Sequence, residues 1–355
     1  MDWTESKEAI AQVDSILAGV GLTHGSRKTR DGAWEAGERK KVFRASQRRS
    51  NIRPASIVQA PEWKQHAWLR HGFSTRLGGV SEVYGPGEVN LGWTASDDPA
   101  KVAENRRRLV KGIAGAKSRA QLVTLRQIHS SVVRIIEQDA GALDGNLETA
   151  EGKAILRGDG MMTDLPGLLL GVQVADCVPV LVADVKRKAV AAFHAGWRGT
   201  LRRIVEGGIG RMRLRYGSRP EDLLAVVGPS IGACCYSVGE EVRHEFESQF
   251  AYAPALFSEV YDSDPVKEKY PLLFLTARAP GHSNIGPQIH LNLWEANRRQ
   301  LIDAGLLPQR VTVIGECTAC TRAKGGRLKY YSHRGEAGFA GRMMGVIGVA
   351  RSSPN

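Results

Sequence analysis

Three short segments carry side chains suited to metal chemistry: LRQIHSS with His129, VADCVPVL with Cys177 and AAFHAGWRGT with His194. Each sets one good donor beside an apolar run. Imidazole and thiolate both suit zinc, and three protein donors leave a fourth position for water or substrate. Zinc held this way lowers the pKa of its water towards ~7 and makes a nucleophile at neutral pH. The spacings are not the close pairs of a zinc finger, so the fold must bring the three donors together. Blander readings stand beside this one. A cysteine in an apolar strand serves as a small buried hydrophobe, and a single histidine is often satisfied by an ordinary hydrogen bond. A further reading is nucleophilic, with Cys177 as a thiolate activated by His194 or His129, as in cysteine hydrolases.

The elements that must position these residues follow from patterning. Leu168 to Val174, Val178 to Ala183 and Ala189 to His194 are short, valine-bearing apolar runs, which read as strands. Ala67 to Thr75 reads as another strand, broken by Gly78-Gly79, and Leu122 to Glu137 as one or two strands around His129. Leu223 to Val227, Val311 to Ile314 and Met343 to Val349 complete the set. Asp98-Pro99 reads as a helix start, with Asp98 as cap and Pro99 in the first turn. Further helices are expected at Thr200 to Arg215, Glu240 to Phe250 and Leu291 to Ala304, with a looser stretch from Ala251 to Pro287. Strands and helices mix without a regular βαβ repeat, so the expected class is α+β.

The first 62 residues read as an extension of the domain that follows, which spans 63–355. Ile10, Val13, Ile16, Leu17 and Val20 recur at helical spacing, and a polar, charge-rich, flexible segment comes next. Much of the net charge of +12 sits between Arg27 and Arg53. No nucleic-acid recognition motif accompanies it, so the excess implies a general affinity for anions rather than a specific nucleic-acid partner. Asp2, Glu5, Glu8 and Asp14 stand where a signal peptide needs a basic start and an apolar run. No run is long enough to span a bilayer. Five cysteines, an odd count, point to reduced thiols, and the expected location is the cytoplasm.

A string of motifs gives these readings a context. HGFSTRLGGVSE, VNLGW, DDPAKVAENRRRL, LRQIHSSVV, GDGMMTD, VADCVPVLVAD, FHAGWRGT, VGPSIGACCYSVGEEV, HLNLWEANRRQL, ECTAC, YYSHRGE and AGRMMGVI occur in this order. Together they resemble the YfiH family, also called the laccase-domain or multicopper polyphenol oxidoreductase family, whose members include purine nucleoside phosphorylases. The match covers roughly His71 to Ile347. The resemblance implies a single four-layer α/β/β/α domain with mixed sheets. It implies zinc on His129, Cys177 and His194. It also implies roles for Arg76 of STRLGG, as an arginine that binds phosphate beside glycines, and for Asn90 of VNLG, which holds a loop or binds substrate. Asp159 of GDGMMTD either orients a ligand histidine or handles protons. Arg198, after HAGW, either faces the site, caps a helix or pairs with an acid.

The implied activity is phosphorolysis of adenosine, inosine, guanosine and methylthioadenosine, with hydrolytic deamination of adenosine; purine nucleosides and phosphate are the implied partners. Alternatives are a zinc hydrolase editing peptidoglycan precursors, a copper polyphenol oxidase and a non-enzymatic zinc-binding protein. Multicopper chemistry needs several His-rich sites, and nine histidines in the whole chain argue against it. The chain departs from the family pattern at Ser332-His333-Arg334-Gly335, where a second arginine is usual, and at the insert EAGFA before Gly341. Cys317 and Cys320 form a lone C-x-x-C, which reads as a buried structural pair, and Cys234-Cys235 reads as packing.

Overall fold

The apolar runs around the three donor segments form the middle of two mixed sheets. The computed structural model describes residues 55–137, 153–260 and 288–351. Its first sheet has the strand order β1 (Ile57–Val58), β2 (Leu69–Ser74), β15 (Met343–Val349), β7 (Leu168–Val174), β4 (Gln121–Thr124). Only β7 and β4 pair in parallel; the other neighbours are antiparallel. The second sheet has the order β14 (Val311–Val313), β10 (Leu223–Val227), β8 (Val178–Asp184), β9 (Val190–Ala195), β6 (Gly160–Thr163), β5 (Val133–Ile135). Its two edge pairs are parallel and its inner pairs antiparallel. A small antiparallel sheet joins β11 (Ser237–Val238), β13 (Gln288–Leu291) and β12 (Phe257–Val260).

Every residue of β8 and β9 is buried. Successive side chains of a strand point to opposite faces, so these two strands feed two cores. Leu181, Ala183, Val190 and Ala192 pack with Phe73, Leu170, Val172 and Ile347 of the first sheet. Val180, Val182, Ala191 and Phe193, one position out of phase, pack on the other side with Ile204, Ile209, Leu293 and Leu301. These last residues belong to helices α3 (Ile204–Tyr216) and α5 (Leu293–Asp303). The first sheet turns Leu169, Met344 and Val346 outward against Leu109 and Ile113, which lie on α1 (Pro99–Ala114). A strand covered on both faces explains why these runs read as continuous rather than alternating.

Several expected elements form with small changes of boundary. Asp98 caps α1 through its carboxylate, which accepts from the Ala100 amide, and Pro99 opens the helix. Helix α4 covers Glu240–Gln249. Three differences have physical causes. The expected helix from Thr200 to Arg215 is two helices, α2 (Trp197–Leu201) and α3, separated by Arg203 at a left-handed φ of 55°. Glu206, the Gln249 carbonyl and the Phe250 ring hold that arginine in place. Gly78-Gly79 does not end a strand; both lie inside β3 (Leu77–Ser81). A Cβ on Gly79 would sit 2.0 Å from the Glu88 carbonyl oxygen, so glycine is needed there for close approach of two backbones. Finally, β1 lies before residue 63, where the sequence placed the start of the domain, and pairs with Ser74 and Phe73 of β2.

The helix expected around Ile10 to Val20 and the basic segment after it lie outside the described residues, as does the end of the looser stretch before Pro287. Among the described residues no helix is long and apolar enough to cross a membrane.

Candidate metal centre

Strand register brings two of the three donors together. β8 and β9 pair antiparallel, with Val178 opposite Ala195 and Pro179 opposite His194. Cys177 enters β8 and therefore meets the turn that leaves β9 at Gly196. A Cβ on Gly196 would stand 2.8 Å from Cys177 Sγ and 3.5 Å from the His129 ring, so this glycine makes room for the sulfur. His129 arrives from the segment between β4 and β5, at a left-handed φ of 56°. The donor atoms of His129, Cys177 and His194 all lie within 4.8 Å of one another. The two imidazole rings meet edge to face at 5.0 Å. His194 is buried, Cys177 half-buried and His129 exposed, so the cluster opens to the surface on the His129 side.

Asp159 organises this cluster from behind. It is fully buried, just before β6, and accepts from the amides of Ile128, His129 and Ser130 and from the Ser130 hydroxyl. These bonds hold His129 in its unusual backbone conformation. The same carboxylate stands 2.9 Å from His194 Nδ1. Burial would raise the Asp159 pKa, but the bonds from His194 and Ser130 outweigh it and hold the carboxyl well below the usual range. The ionised Asp159 is acceptor only, so Nδ1 keeps its proton and Nε2 is the nitrogen on which a metal would take a proton's place.

Burial pushes the Cys177 thiol up; the charge of His194 and hydrogen bonds from both histidines reverse this and bring it down to about 6. Burial lowers the His194 pKa, and Cys177 and Asp159 together raise it to about 9. A thiolate-biased sulfur and two imidazoles within reach of one ion are a donor set that fits zinc.

The remaining residues singled out in the sequence are placed differently. Arg76 is buried, and its five N–H donors are all taken. Nε and Nη2 form a fork on Glu88, Nη1 reaches Glu336 and the Tyr330 carbonyl, and Nη2 also reaches the Tyr84 carbonyl. Its guanidinium also lies over the Tyr331 ring. A phosphate would have to displace a carboxylate from this arginine. Asn90 is buried with both amide atoms engaged: it donates to Gly92 and Asp97 and accepts from the Gly92 and Arg342 amides. Of its two expected roles, this geometry is that of holding a loop. Arg198 lies in α2, exposed and stacked on Trp197.

Three residues not singled out in the sequence contribute. Asp176 takes a φ of 95° directly before Cys177, and its carboxylate receives the Thr318 hydroxyl and the Arg334 amide. Ser130 supplies two bonds to Asp159. Burial raises the Tyr236 pKa to about 12, the charge of Cys177 adds to this and those of Arg334 and Arg198 oppose it, and the Arg334 guanidinium lies over the Tyr236 ring, 5.4 Å from its centroid. Asp176 and Ser130 were visible as neighbours of donors within ADC and QIHSS; Tyr236 had no such signal.

A mixed-sheet fold with a surface-open His-Cys-His cluster, backed by a buried carboxylate, defines an α+β protein with a candidate metal centre. The family model described as multi-copper polyphenol oxidoreductase laccase matches residues 70–350, and the chain belongs to this family, the one its motifs resemble. Among relatives, the chain is 34% identical over 282 residues to a protein of Deinococcus radiodurans named purine nucleoside phosphorylase, covering 79% of this chain and 89% of that one. It is 32% identical over 249 residues to "Adenosine deaminase RL5" from an unknown prokaryotic organism, covering 70% and 84%. Among solved structures, the hypothetical protein YfiH of Bacillus licheniformis superposes with a TM-score of 0.65 at 29% identity, over 83% of this chain and 97% of that one.

Proposed function

We propose that this chain is a zinc-dependent enzyme of purine nucleosides, with phosphorolysis of the glycosidic bond and deamination of adenosine as its reactions. The observation that carries this reading is the convergence of His129, Cys177 and His194 on one point, backed by Asp159, in a chain whose relatives bear the names purine nucleoside phosphorylase and adenosine deaminase. A bound zinc supplies Lewis-acid activation of water or of a substrate atom. The chain's own residues supply the rest. Asp159 fixes the tautomer of His194 and the loop of His129. Phosphorolysis also needs inorganic phosphate beside the ribose, and we assign that anion to the exposed arginines Arg198, which follows the His194 turn, and Arg334, whose backbone amide is tied to the Asp176 carboxylate beside Cys177. Arg76, saturated by Glu88 and Glu336, is a structural anchor in this reading, and Asn90 holds the loop that Arg342 closes. The helix-sheet-sheet-helix order, with α1 on one outside and α3 and α5 on the other, is the layering that the packing supports.

The test is product analysis on metal-analysed protein, with adenosine, inosine, guanosine and methylthioadenosine, each with and without phosphate. Base release that rises with phosphate is expected, with inosine formed from adenosine in its absence. No turnover of any nucleoside by zinc-loaded protein would remove the proposal.

A second reading rests on one observation: the Cys177 sulfur lies within 4.8 Å of an imidazole nitrogen of both His129 and His194, whose charge and hydrogen bonds bias it to thiolate, as in a cysteine nucleophile. Metal analysis of Cys177→Ala separates the two. Loss of zinc together with turnover supports the metal reading; zinc retained with turnover lost supports the nucleophile.

A further inference from the structure

Four of the five cysteines fall into a second group, away from Cys177. Cys234 and Cys235 lie in the turn after β10, and Cys317 and Cys320 in the turn after β14. Because β10 and β14 run parallel, these turns leave the same end of the second sheet. The turns are stitched together by the Ser230 amide donating to the Glu316 carbonyl and the Thr318 amide donating to the Ser230 carbonyl. The four sulfurs all lie within 4.8 Å of one another.

We propose that Cys234, Cys235, Cys317 and Cys320 hold a second zinc ion, of structural type. A zinc about 2.3 Å from each of four thiolates in a tetrahedron sets the sulfurs roughly 3.8 Å apart. Cys234 Sγ and Cys320 Sγ are 3.7 Å apart. Disulfide bonding, apolar packing and an iron–sulfur cluster each fit the four sulfurs less well. The five cysteines are free thiols, so no disulfide accounts for the proximity. Packing of small hydrophobes does not account for it either, because Cys234 and Cys320 are exposed. An iron–sulfur cluster spreads its thiolates over several irons and needs them further apart. Backbone donors also converge on one sulfur: the Gly232 amide lies 3.3 Å from Cys317 Sγ, and the Ala319 and Cys320 amides bond it as well. Amides gathered in this way stabilise a thiolate held by a metal.

The expected C-x-x-C pair thus lacks no partner; the vicinal pair from another turn completes the set. The two joined turns also hold the residue before Cys177. The Ile231 amide donates to the Asp176 carbonyl, and the Thr318 hydroxyl to the Asp176 carboxylate. A zinc between the turns would lock the backbone that delivers Cys177 to the first centre, without touching substrate itself.

The test is metal stoichiometry of the full chain, purified without chelator. About two zinc ions per chain are expected in the unaltered protein, and about one in His129→Ala, which spares the cysteine cluster. The double variant Cys317→Ser with Cys320→Ser should lose one equivalent and keep the other. His129→Ala loaded with cobalt(II) should show intense thiolate-to-metal charge-transfer absorption. Because the double variant can fail to fold, thiol reactivity is read in the unaltered protein as well. Cys234 and Cys320, though exposed, should resist a thiol reagent until a chelator is added. A His129→Ala protein that binds no metal, or zinc-loaded protein whose exposed thiols react at once, would overturn the proposal. So would a disulfide among these four cysteines in protein isolated from cells.

Discussion

Asp159 has no exposed surface and meets five hydrogen-bond donors, three backbone amides, one hydroxyl and one imidazole. Replacing it with asparagine exchanges one accepting oxygen for an NH2 group, which would face donors already pointing inward. Partners of this kind are worth about 10- to 100-fold in metal affinity. Asp159→Asn should therefore weaken zinc binding by about that factor, read by competition with a chromophoric chelator, while the far-ultraviolet circular dichroism keeps its shape. Unchanged affinity would mean that His194 is oriented by its strand alone. Gly196 offers a second probe. Its φ of −67° is open to any residue, so alanine costs nothing in backbone strain. The added methyl would press on the Cys177 sulfur at 2.8 Å. Gly196→Ala should lower zinc affinity about tenfold or more with little change in melting temperature; a large loss of stability with normal zinc would place the effect in the α2 turn instead.

The segment around β3 shows how an element can be held for the sake of a loop. Arg76 and Glu88 form a buried forked pair, with Glu336 and Arg327 at its ends. Removing one partner of such a pair leaves the other buried and uncompensated, at a cost of about 3–5 kcal/mol. Arg76→Ala should therefore lower the free energy of unfolding by several kcal/mol in urea titrations, and the phosphate dependence of whatever activity remains should be unaltered. Normal stability with lost phosphate dependence would return Arg76 to the anion-binding role its motif suggests. Strand β1 is a second case. Ile57 lies over Gly72 and Gly112, where any larger residue would collide with it. A chain beginning at Trp63 loses this cover and exposes the edge of β2, so it should melt lower than a chain beginning at Ile52. Equal melting temperatures would place the domain start where the sequence did. These elements also mark what the sequence could convey. β7, β8, β9 and β10 were legible within a residue because burial on both faces makes them continuous apolar runs. The cap at Asp98 was legible because Asp-Pro carries its own geometry. β1 is two residues long and β3 contains two glycines, so neither has a period to read. The break at Arg203 has no glycine or proline to announce it. In the site, the three donors stand inside distinctive motifs, whereas the ion pair of Arg76 with Glu336 could not be read, because the two lie 260 positions apart.

Across the molecule, stability at moderately acid pH depends on a histidine outside the centre. His71 is buried in β2, accepts the Ala60 amide through Nε2 at 3.1 Å and packs against Trp63. It thereby ties the turn at Pro61–Gln65 to the first sheet. Burial lowers its pKa to about 4; the charge of Glu62 opposes this, while Lys64 and the Ala60 amide, which can bond only the unprotonated Nε2, act with it. In the unfolded chain this imidazole titrates near 6.5. Between those two values the unfolded state binds a proton that the folded state refuses, so stability rises with pH across the window. Read downward, it is full above about pH 6.5, declines towards pH 4 and levels off below. A separation of that size corresponds to roughly 3 kcal/mol. Other groups titrate over parts of the same range, so the measurement is a difference: urea unfolding of the unaltered protein and of His71→Gln, from about pH 4 to about pH 7. Glutamine can accept the Ala60 amide but cannot be protonated. The unaltered protein should lose roughly 3 kcal/mol more than the variant on acidification. Parallel curves for the two proteins would show that His71 takes its proton in the folded state and that the turn at Pro61 yields to let it do so.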